Sequence, residues 1–225
     1  MDRKKGISLN TILLDLDGTI TNPKEGITKS IQYALRKVGI EVEDLDTLTK
    51  HIGPPLKEGF MEMWGFDEET ANRLVTYYRE YFSVTGIYEN VVYDGMEELL
   101  KKLKAAGKTL IVATSKPEFF AKQIMEHFHL DLYVTDICGS NLDGTRTKKG
   151  DVIAYAMKKN HITHKEDIIM VGDRSHDIIG AKENGIPCVG VLYGFGNEEE
   201  FRSNHADYIV KDVDELGKIL METAS

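Results

Sequence analysis

The stretch Ile12-Leu13-Leu14-Asp15-Leu16-Asp17-Gly18-Thr19 decides how the chain reads. Three apolar β-formers run straight into two carboxylates separated by a single residue, then a Gly and a Thr. Side chains on a strand alternate with a period of two, so Asp15 and Asp17 are expected to leave its end toward the same side. Desolvating a carboxylate is costly unless a cation or a hydrogen-bond network compensates. Such a pair at the mouth of a buried strand points to a metal, a nucleophile or an acid/base pair.

Working outward, apolar runs of the same texture recur at residues 109–114, 133–138, 168–172, 188–192 and 208–210. Between them lie helical patterns. Met96, Leu99, Leu100 and Leu103 form one face behind an Asp94/Glu97 capping box, with Gly107 as the stop. Further helices are expected over 118–127, 149–160 and 176–184, and Asp212 with Glu215 caps a last one. Continuously apolar strands alternating with helices predict a parallel sheet covered on both faces, an α/β Rossmann-like core. Ligands of open sheets of this kind sit at the carboxyl ends of the strands. The residues just past three of these strands are Asp15, Thr114-Ser115-Lys116 and Asp173, all chemically useful.

Residues 22–92 have a different texture. Ile27, Ile31, Ala34, Leu35 and Val38 share one helical stripe closed by Gly39. A short helix is expected over 44–50, Gly53-Pro54-Pro55 breaks the chain, and helices follow over 56–64 and from Asp67 onward. The expected organisation is a core of residues 1–21 and 93–225, with an all-α four-helix insert over 22–92 placed at the ligand end and no strand of its own.

A chain of 225 residues accommodates one large domain or a core plus a smaller insert. The net charge, 28 − 37 = −9, disfavours a nucleic-acid polymer or an anionic membrane as partner. No apolar run approaches the ~18 residues of a membrane span. The start, Met1-Asp-Arg-Lys-Lys-Gly-Ile-Ser8, is basic but lacks the apolar stretch of a secretory signal. Cys138 and Cys188 both fall in apolar runs and read as buried thiols of a reducing cytoplasm.

As phosphate chemistry the pieces fit together. Asp15, Asp17 and Asp173 can hold Mg²⁺ with hard oxygens, leaving positions for water and substrate. Thr114 and Ser115 stand between a strand and a helix, where hydroxyls and backbone N–H groups bind phosphoryl oxygens. Lys149 opens another helix at that end and can neutralise phosphate charge. In Gly172-Asp173-Arg174-Ser175-His176-Asp177, Asp177 can orient a metal shell from behind. Taken singly, each piece has an ordinary explanation. A D-x-D is common in solvated loops, Lys148 with Lys149 makes a solvated charge pair, and Asp177 is a first-turn helix acid. An EF-hand starting at Asp15 fails, because its bidentate twelfth position is Gly26 rather than Glu. Gly194-Phe-Gly196 lacks the third Gly of a dinucleotide fingerprint, and no Walker lysine loop occurs. The signal is joint occurrence, in order, at strand ends.

Asp15-Leu-Asp17-Gly18-Thr19, Val112-Ala-Thr114-Ser115-Lys116, a lysine ahead of an apolar helix, and Gly172-Asp173-Arg174-x-x-Asp177 resemble the four motifs of the haloacid dehalogenase superfamily of phosphatases. The match spans the whole chain, and the insert is similar to that superfamily's small α-helical cap. The resemblance implies that Asp15 attacks phosphorus to form an aspartyl-phosphate. Asp17 then protonates the leaving oxygen and later deprotonates the hydrolytic water. The Asp17 backbone carbonyl and the carboxylates of Asp15 and Asp173 bind Mg²⁺. Thr114 and Lys149 stabilise the transferring phosphoryl group with support from the Ser115 amide, while Gly18, Arg174 and Asp177 stand behind. Lys149 is preferred to its neighbour Lys148 from the spacing to Asp151-Val-Ile.

Within the resemblance, an acid at Asp17 disfavours C–halogen and C–P cleavage, and Ile27 stands where the sugar-phosphate mutases carry a cap histidine. More closely, Glu25-Gly-Ile-Thr-Lys-Ser-Ile-Gln-Tyr-Ala-Leu35, His51-Ile-Gly-Pro-Pro-Leu56 and Gly190-Val-Leu-Tyr-Gly-Phe-Gly196 resemble bacterial 5′-nucleotidases, neighbours of the phosphoglycolate phosphatases. The expectation is a cytoplasmic, Mg²⁺-dependent phosphomonoesterase, monomeric or weakly dimeric, acting on a small phosphorylated metabolite. A nucleoside 5′-monophosphate is the expected substrate, with phosphoglycolate or a small sugar phosphate as the alternative. A binding module that kept the fold without turnover is the alternative of another class. Gly53, Pro54 and Pro55 are expected to form a rigid loop over the cleft.

Overall fold

The computed structural model describes residues 9–222. The basic start discussed above therefore lies outside the described residues. In chain order the elements are β1 (Thr11–Leu14), β2 (Thr21–Asn22), α1 (Lys24–Arg36), a 3₁₀ turn (Leu45–His51), α2 (Leu56–Trp64), α3 (Glu68–Tyr81), a π-turn (Phe82–Gly86) and β3 (Val91–Val92). Then come α4 (Met96–Ala105), β4 (Thr109–Pro117), α5 (Glu118–His127), β5 (Asp136–Ser140), α6 (Lys149–Lys159) and β6 (Ile168–Gly172). The chain closes with α7 (Ser175–Glu183), β7 (Cys188–Val191), α8 (Glu198–Ser203), β8 (Tyr208–Val210) and α9 (Val213–Glu222).

The main sheet runs β5-β4-β1-β6-β7-β8 and is parallel throughout. β1 lies in its middle because it offers no polar side chain on its apolar stretch to satisfy on either face. Ile12 and Leu14 join one core and Leu13 the opposite one, all three without exposed area. Each such side chain contributes ~1.5–3 kcal/mol of burial. Leu14 pairs with Val112 of β4 and Val171 of β6, so the three central strands reach the same edge together. That register is what brings Asp15, Thr114 and Asp173 to one place.

The insert is helical, as its periodicity predicts. Ile27, Ile31, Ala34 and Leu35 of α1 are buried, as are Ala71, Leu74 and Tyr78 of α3. Asp67 caps α3 by accepting from the Thr70 N–H at 2.8 Å, and Gly65 ends α2 at a left-handed φ of 70°. The expectation of no strand is corrected at the stems, where β2 and β3 pair antiparallel, Thr21 with Val92 and Asn22 with Val91.

Three further corrections are local. The strand expected over 133–138 begins at Asp136, because residues 131–133 form a 3₁₀ turn. The strand expected to stop at 114 continues to Pro117. The Asp94/Glu97 capping box is absent: Gly95, at φ 78°, takes the N-cap position of α4 without a side-chain cap bond. Glu97 instead accepts from the Tyr133 hydroxyl at 3.0 Å. Asp212 does cap α9, accepting the Glu215 N–H at 2.8 Å, while the Glu215 carboxylate accepts the Lys211 N–H at 2.9 Å. Cys138 and Cys188 are buried and free. No helix among the described residues is long and apolar enough to cross a membrane.

Candidate active site

β1 ends at Leu14, and a tight turn replaces further pleating. The N–H groups of Ile20 and Thr21 both donate to the Leu16 carbonyl, at 2.9 and 3.0 Å, and Gly18 N–H donates to Thr21 O at 2.7 Å. Gly18 has φ 81°, and a Cβ on it would stand 2.1 Å from Asp173 Oδ2. Only glycine allows the turn to close on the neighbouring strand end. Asp15 Oδ1 accepts from the Leu16 N–H at 2.7 Å, and its Oδ2 lies 2.8 Å from Lys149 Nζ.

Lys149 bridges two carboxylates. Its Nζ is also 2.8 Å from Asp177 Oδ1 and donates to the Ala113 carbonyl at 3.1 Å. Burial alone would lower its pKa, but the charges of Asp15 and Asp177 outweigh that and hold it above the usual lysine value. Lys148 is exposed and precedes α6, so of the two lysines Lys149 occupies the site. Asp177 Oδ2 accepts the Arg174 N–H at 3.1 Å, which locks the loop after β6 onto the start of α7. Burial raises the Asp177 carboxyl, and the Lys149 ammonium opposes that rise.

Asp173 carries the least compensated charge. Its Oδ2 accepts the Phe195 N–H at 2.8 Å, while Oδ1 is buried with no hydrogen-bond partner among the described residues. Burial raises its pKa well above the ordinary value, and repulsion from Asp177 and Asp15 adds to it. Carboxylate oxygens of Asp15, Asp173 and Asp177 lie within 4.8 Å of one another. An orphaned oxygen inside such a cluster fits a hard divalent cation, and an all-oxygen donor set suits Mg²⁺.

Asp17 is separate from this cluster in its contacts. Its Oδ2 is paired with the Lys116 ammonium, both side chains being nearly inaccessible. Its Oδ1 is buried without a partner among the described residues. Burial raises the Asp17 carboxyl above its ordinary value, with Lys116 pulling the other way. Thr114 is 2% exposed, and its hydroxyl accepts the Lys116 N–H at 3.2 Å.

These residues open onto a cleft of about 470 Å³ between the sheet edge and the helical insert. Asp15, Asp17, Thr114, Ser115 and Lys116 line its floor. Lys149, Asp173 and Asp177 are packed behind Asp15. Gly53, Pro54 and Pro55 line the cleft on the insert side. Arg174 reaches that loop, its Nη1 donating to the Ile52 carbonyl at 2.8 Å while its Nε pairs with Glu200 at 3.2 Å. A Cβ on Gly53 would stand 3.0 Å from the Arg174 Cγ.

Every candidate residue read from the sequence thus falls at one edge of the sheet or on the loop facing it. Sequence reasoning missed four contributing residues. Lys116 was quoted within its motif without a role, because its partner lies 99 residues away. Gly194 and Gly196 read as a failed dinucleotide loop. The structure shows why they are glycines: a Cβ on Gly194 would stand 2.3 Å from Asp173 Cβ, and one on Gly196 would stand 2.1 Å from the Asp173 carbonyl oxygen. Glu200, which accepts the Ser175 N–H at 2.5 Å, sits on α8, a helix with little apolar signal beyond Phe201.

The family description haloacid dehalogenase-like hydrolase matches residues 12–191. A 5′-nucleotidase of Pseudomonas aeruginosa is 47% identical over 218 residues, covering 97% of this chain and 98% of the relative. The tyrosine-protein kinase PtkA of Mycobacterium tuberculosis is 39% identical over 194 residues, 86% of this chain and 66% of the relative. The crystal structure of a predicted phosphatase from Clostridium acetobutylicum superposes with a TM-score of 0.92 at 54% identity, covering 95% of this chain and 98% of that one. The chain belongs to the haloacid dehalogenase-like hydrolases, and its relatives support a phosphomonoesterase.

Proposed function

We propose that this haloacid dehalogenase-like hydrolase is a Mg²⁺-dependent nucleoside 5′-monophosphate phosphatase that works through an aspartyl-phosphate on Asp15. The observation that carries the reading is Asp15 itself. It lies on the cleft floor, its two oxygens oriented by the Leu16 N–H and the Lys149 ammonium. A nucleophile held in place before substrate arrives lowers the barrier by positioning.

In the first half-reaction an Asp15 oxygen forms a bond to phosphorus as the bond from phosphorus to the leaving oxygen breaks. Asp17, which lines the cleft beside Asp15, gives its proton to that oxygen. The raised pKa of Asp17 favours the protonated form that this step needs. In the second, water attacks phosphorus, Asp17 takes its proton, the Asp15–phosphorus bond breaks and inorganic phosphate leaves. Lys149 and the Thr114 hydroxyl offset charge on the phosphoryl oxygens, helped by the Ser115 N–H. Asp15, Asp173 and the Asp17 backbone carbonyl would hold Mg²⁺, which when bound neutralises phosphate charge. Asp177 and Arg174 keep Lys149 and the loop after β6 in place.

For substrate, the cleft is the support. At about 470 Å³ it is within the ~300–1,000 Å³ usual for small-molecule sites, and it reaches Asn72, Val75 and Thr76 on α3. A two-carbon acid leaves most of that space unfilled, whereas a nucleoside reaches α3. The identity to a 5′-nucleotidase points the same way. Residues 22–92 act as the cap and the remainder as the core. The two buried free thiols support a reducing compartment, the cytoplasm.

The test is a screen of nucleoside monophosphates, phosphoglycolate and sugar phosphates ranked by kcat/KM with Mg²⁺, beside an aryl phosphate and a tyrosine peptide with ATP. Nucleotides are expected to lead. A roughly tenfold preference for phosphoglycolate, ~1.4 kcal/mol, removes the substrate assignment and leaves the mechanism. Phosphoryl transfer to the peptide in place of hydrolysis overturns the hydrolytic half-reaction. No turnover of the aryl phosphate with Mg²⁺ overturns the whole reading and favours a non-catalytic module.

A further inference from the structure

We infer that Lys116 is a positioning residue for the acid/base carboxylate, and that the cap completes its setting through Phe82. The inference rests on the assignment of Asp17 as acid/base.

Lys116 and Asp17 are 6% and 11% exposed at their side chains and form an ion pair across the cleft floor. Taking two charges out of water is expensive, and pairing often does no better than break even, so such a pair is a poor device for stability alone. Its geometric effect is specific. The ammonium engages Oδ2 of Asp17, while Oδ1 is buried without a partner among the described residues. Lys116 thereby fixes how the Asp17 carboxyl sits at the cleft floor that both residues line. Thr114 steadies the lysine backbone by accepting its N–H, so the phosphate-facing hydroxyl and the acid/base are held from one strand end.

The other side of Lys116 belongs to the cap. Its Nζ lies 4.7 Å from the centroid of the Phe82 ring, within the range of a cation–π contact. Phe82 stacks on Tyr78 of α3 at 5.2 Å and 17°, and meets Phe120 of the core helix α5 edge-on at 5.4 Å and 85°. Tyr78 is buried, and burial with the nearby Asp17 charge raises its hydroxyl pKa well above the ordinary value. With the cap over the cleft, these rings wall the Lys116–Asp17 pair from water on the cap side. If the cap swings away, Phe82 and Tyr78 leave with it, water reaches the ammonium, and Asp17 loses the clamp that orients it. The acid/base is set for reaction only under the closed cap, which couples substrate enclosure to proton transfer.

The experiment uses the full chain with Mg²⁺ and an aryl phosphate, comparing Lys116→Met, Lys116→Arg, Phe82→Leu and the Met/Leu double variant for kcat and KM. Thermal melts by circular dichroism accompany each. Lys116→Met is expected to lower kcat by roughly 10- to 100-fold, part of the ~10²–10⁴ that general acid–base catalysis supplies, with KM little changed. Lys116→Arg should recover most of that loss. Phe82→Leu should lower kcat by a smaller factor and add little in the Lys116→Met background, since both act through Asp17.

Parental kcat in Lys116→Met overturns the inference, as does a rise in KM alone, which would make Lys116 a phosphate ligand. Independent, multiplying effects of the two substitutions overturn the cap coupling. If Lys116→Met does not fold, Phe82→Leu decides, and an unchanged kcat there counts against the inference. Parental rates in Asp17→Asn would show that the underlying acid/base assignment had failed instead.

Discussion

The sheet edge and the insert above it hold charge in opposite ways. At the edge, Lys149 is 3% exposed between Asp15 at 7% and Asp177 at 1%, each oxygen 2.8 Å from the ammonium. On the insert, Lys57 pairs with Glu68 at 36% and 69% exposed, and Arg36 with Glu41 at 55% and 70%. Exposed pairs contribute ~0–1 kcal/mol and give way easily. Buried ones cannot be loosened without leaving an uncompensated charge. On the proposed function the difference separates two jobs: the core edge would fix where the phosphoryl group reacts, while the solvated insert would change its leaving-group contacts at little cost to folding.

The largest predicted effect lies at the core edge. Asp173→Asn should abolish turnover by several orders of magnitude, as removal of a metal ligand does, and chelation should silence the parent reversibly. The same substitution should stabilise the metal-free protein, because Asp173 is repelled by Asp177 and Asp15. Each kcal/mol of relieved repulsion raises Tm by roughly 2–4 °C in a chain of this size. Added Mg²⁺ should raise Tm in the parent and not in the variant. Chelator-insensitive turnover, or a lowered Tm in the variant, would break the contrast at its stronger side.

A smaller effect is expected on the insert. Asn72→Ala or Thr76→Val, on the α3 face that lines the cleft, should lower kcat/KM for nucleotides roughly three- to tenfold, the worth of one hydrogen bond at ~0.5–1.5 kcal/mol. Aryl phosphate hydrolysis should stay at the parental rate. Equal losses on both substrates would place these residues in the chemistry rather than in substrate choice.

The smallest effect concerns His51, buried in the insert. Its Nε2 accepts the Trp64 indole N–H at 2.9 Å, and its Nδ1 is buried without a partner among the described residues. Burial, reinforced by Lys50, pushes its pKa down from 6.5 to about 4. A histidine lowered on folding contributes stability that is full above its unfolded value and is lost as pH falls through 6.5 toward 4. Trp64 is the single tryptophan, so its emission reports this directly. A shift in emission should appear on acidification within that window and be absent from His51→Gln. A transition centred at or above 6.5 would contradict the sign.

What was legible in the sequence follows the same division. β1 could be read because Ile12, Leu13 and Leu14 leave no polar alternative, and a parallel register then forces Asp15, Thr114 and Asp173 together. Lys149 could be separated from Lys148 only by spacing; in the structure Lys149 is buried and Lys148 exposed. The Lys116–Asp17 pair was not legible, since nothing local in Ser115-Lys116-Pro117 names a partner 99 residues away. The β2–β3 ribbon is two residues on each side, too short for any alternation to show. The turn at 131–133 was hidden because Leu132, Tyr133 and Val134 look like strand residues. The reason for Gly194 and Gly196 was not legible, since it is close contact with Asp173, some twenty residues earlier in the chain.

The central claim is that Asp15 accepts the phosphoryl group. The direct measurement is intact-mass analysis of acid-quenched turnover on an aryl phosphate with Mg²⁺, followed by peptide mapping, for the parent and for Asp15→Asn. The account predicts a transient phosphoryl adduct on the peptide carrying Asp15, dependent on Mg²⁺ and lost together with turnover in the variant. Turnover with no adduct at any quench time, or hydrolysis at the parental rate in Asp15→Asn, would contradict it.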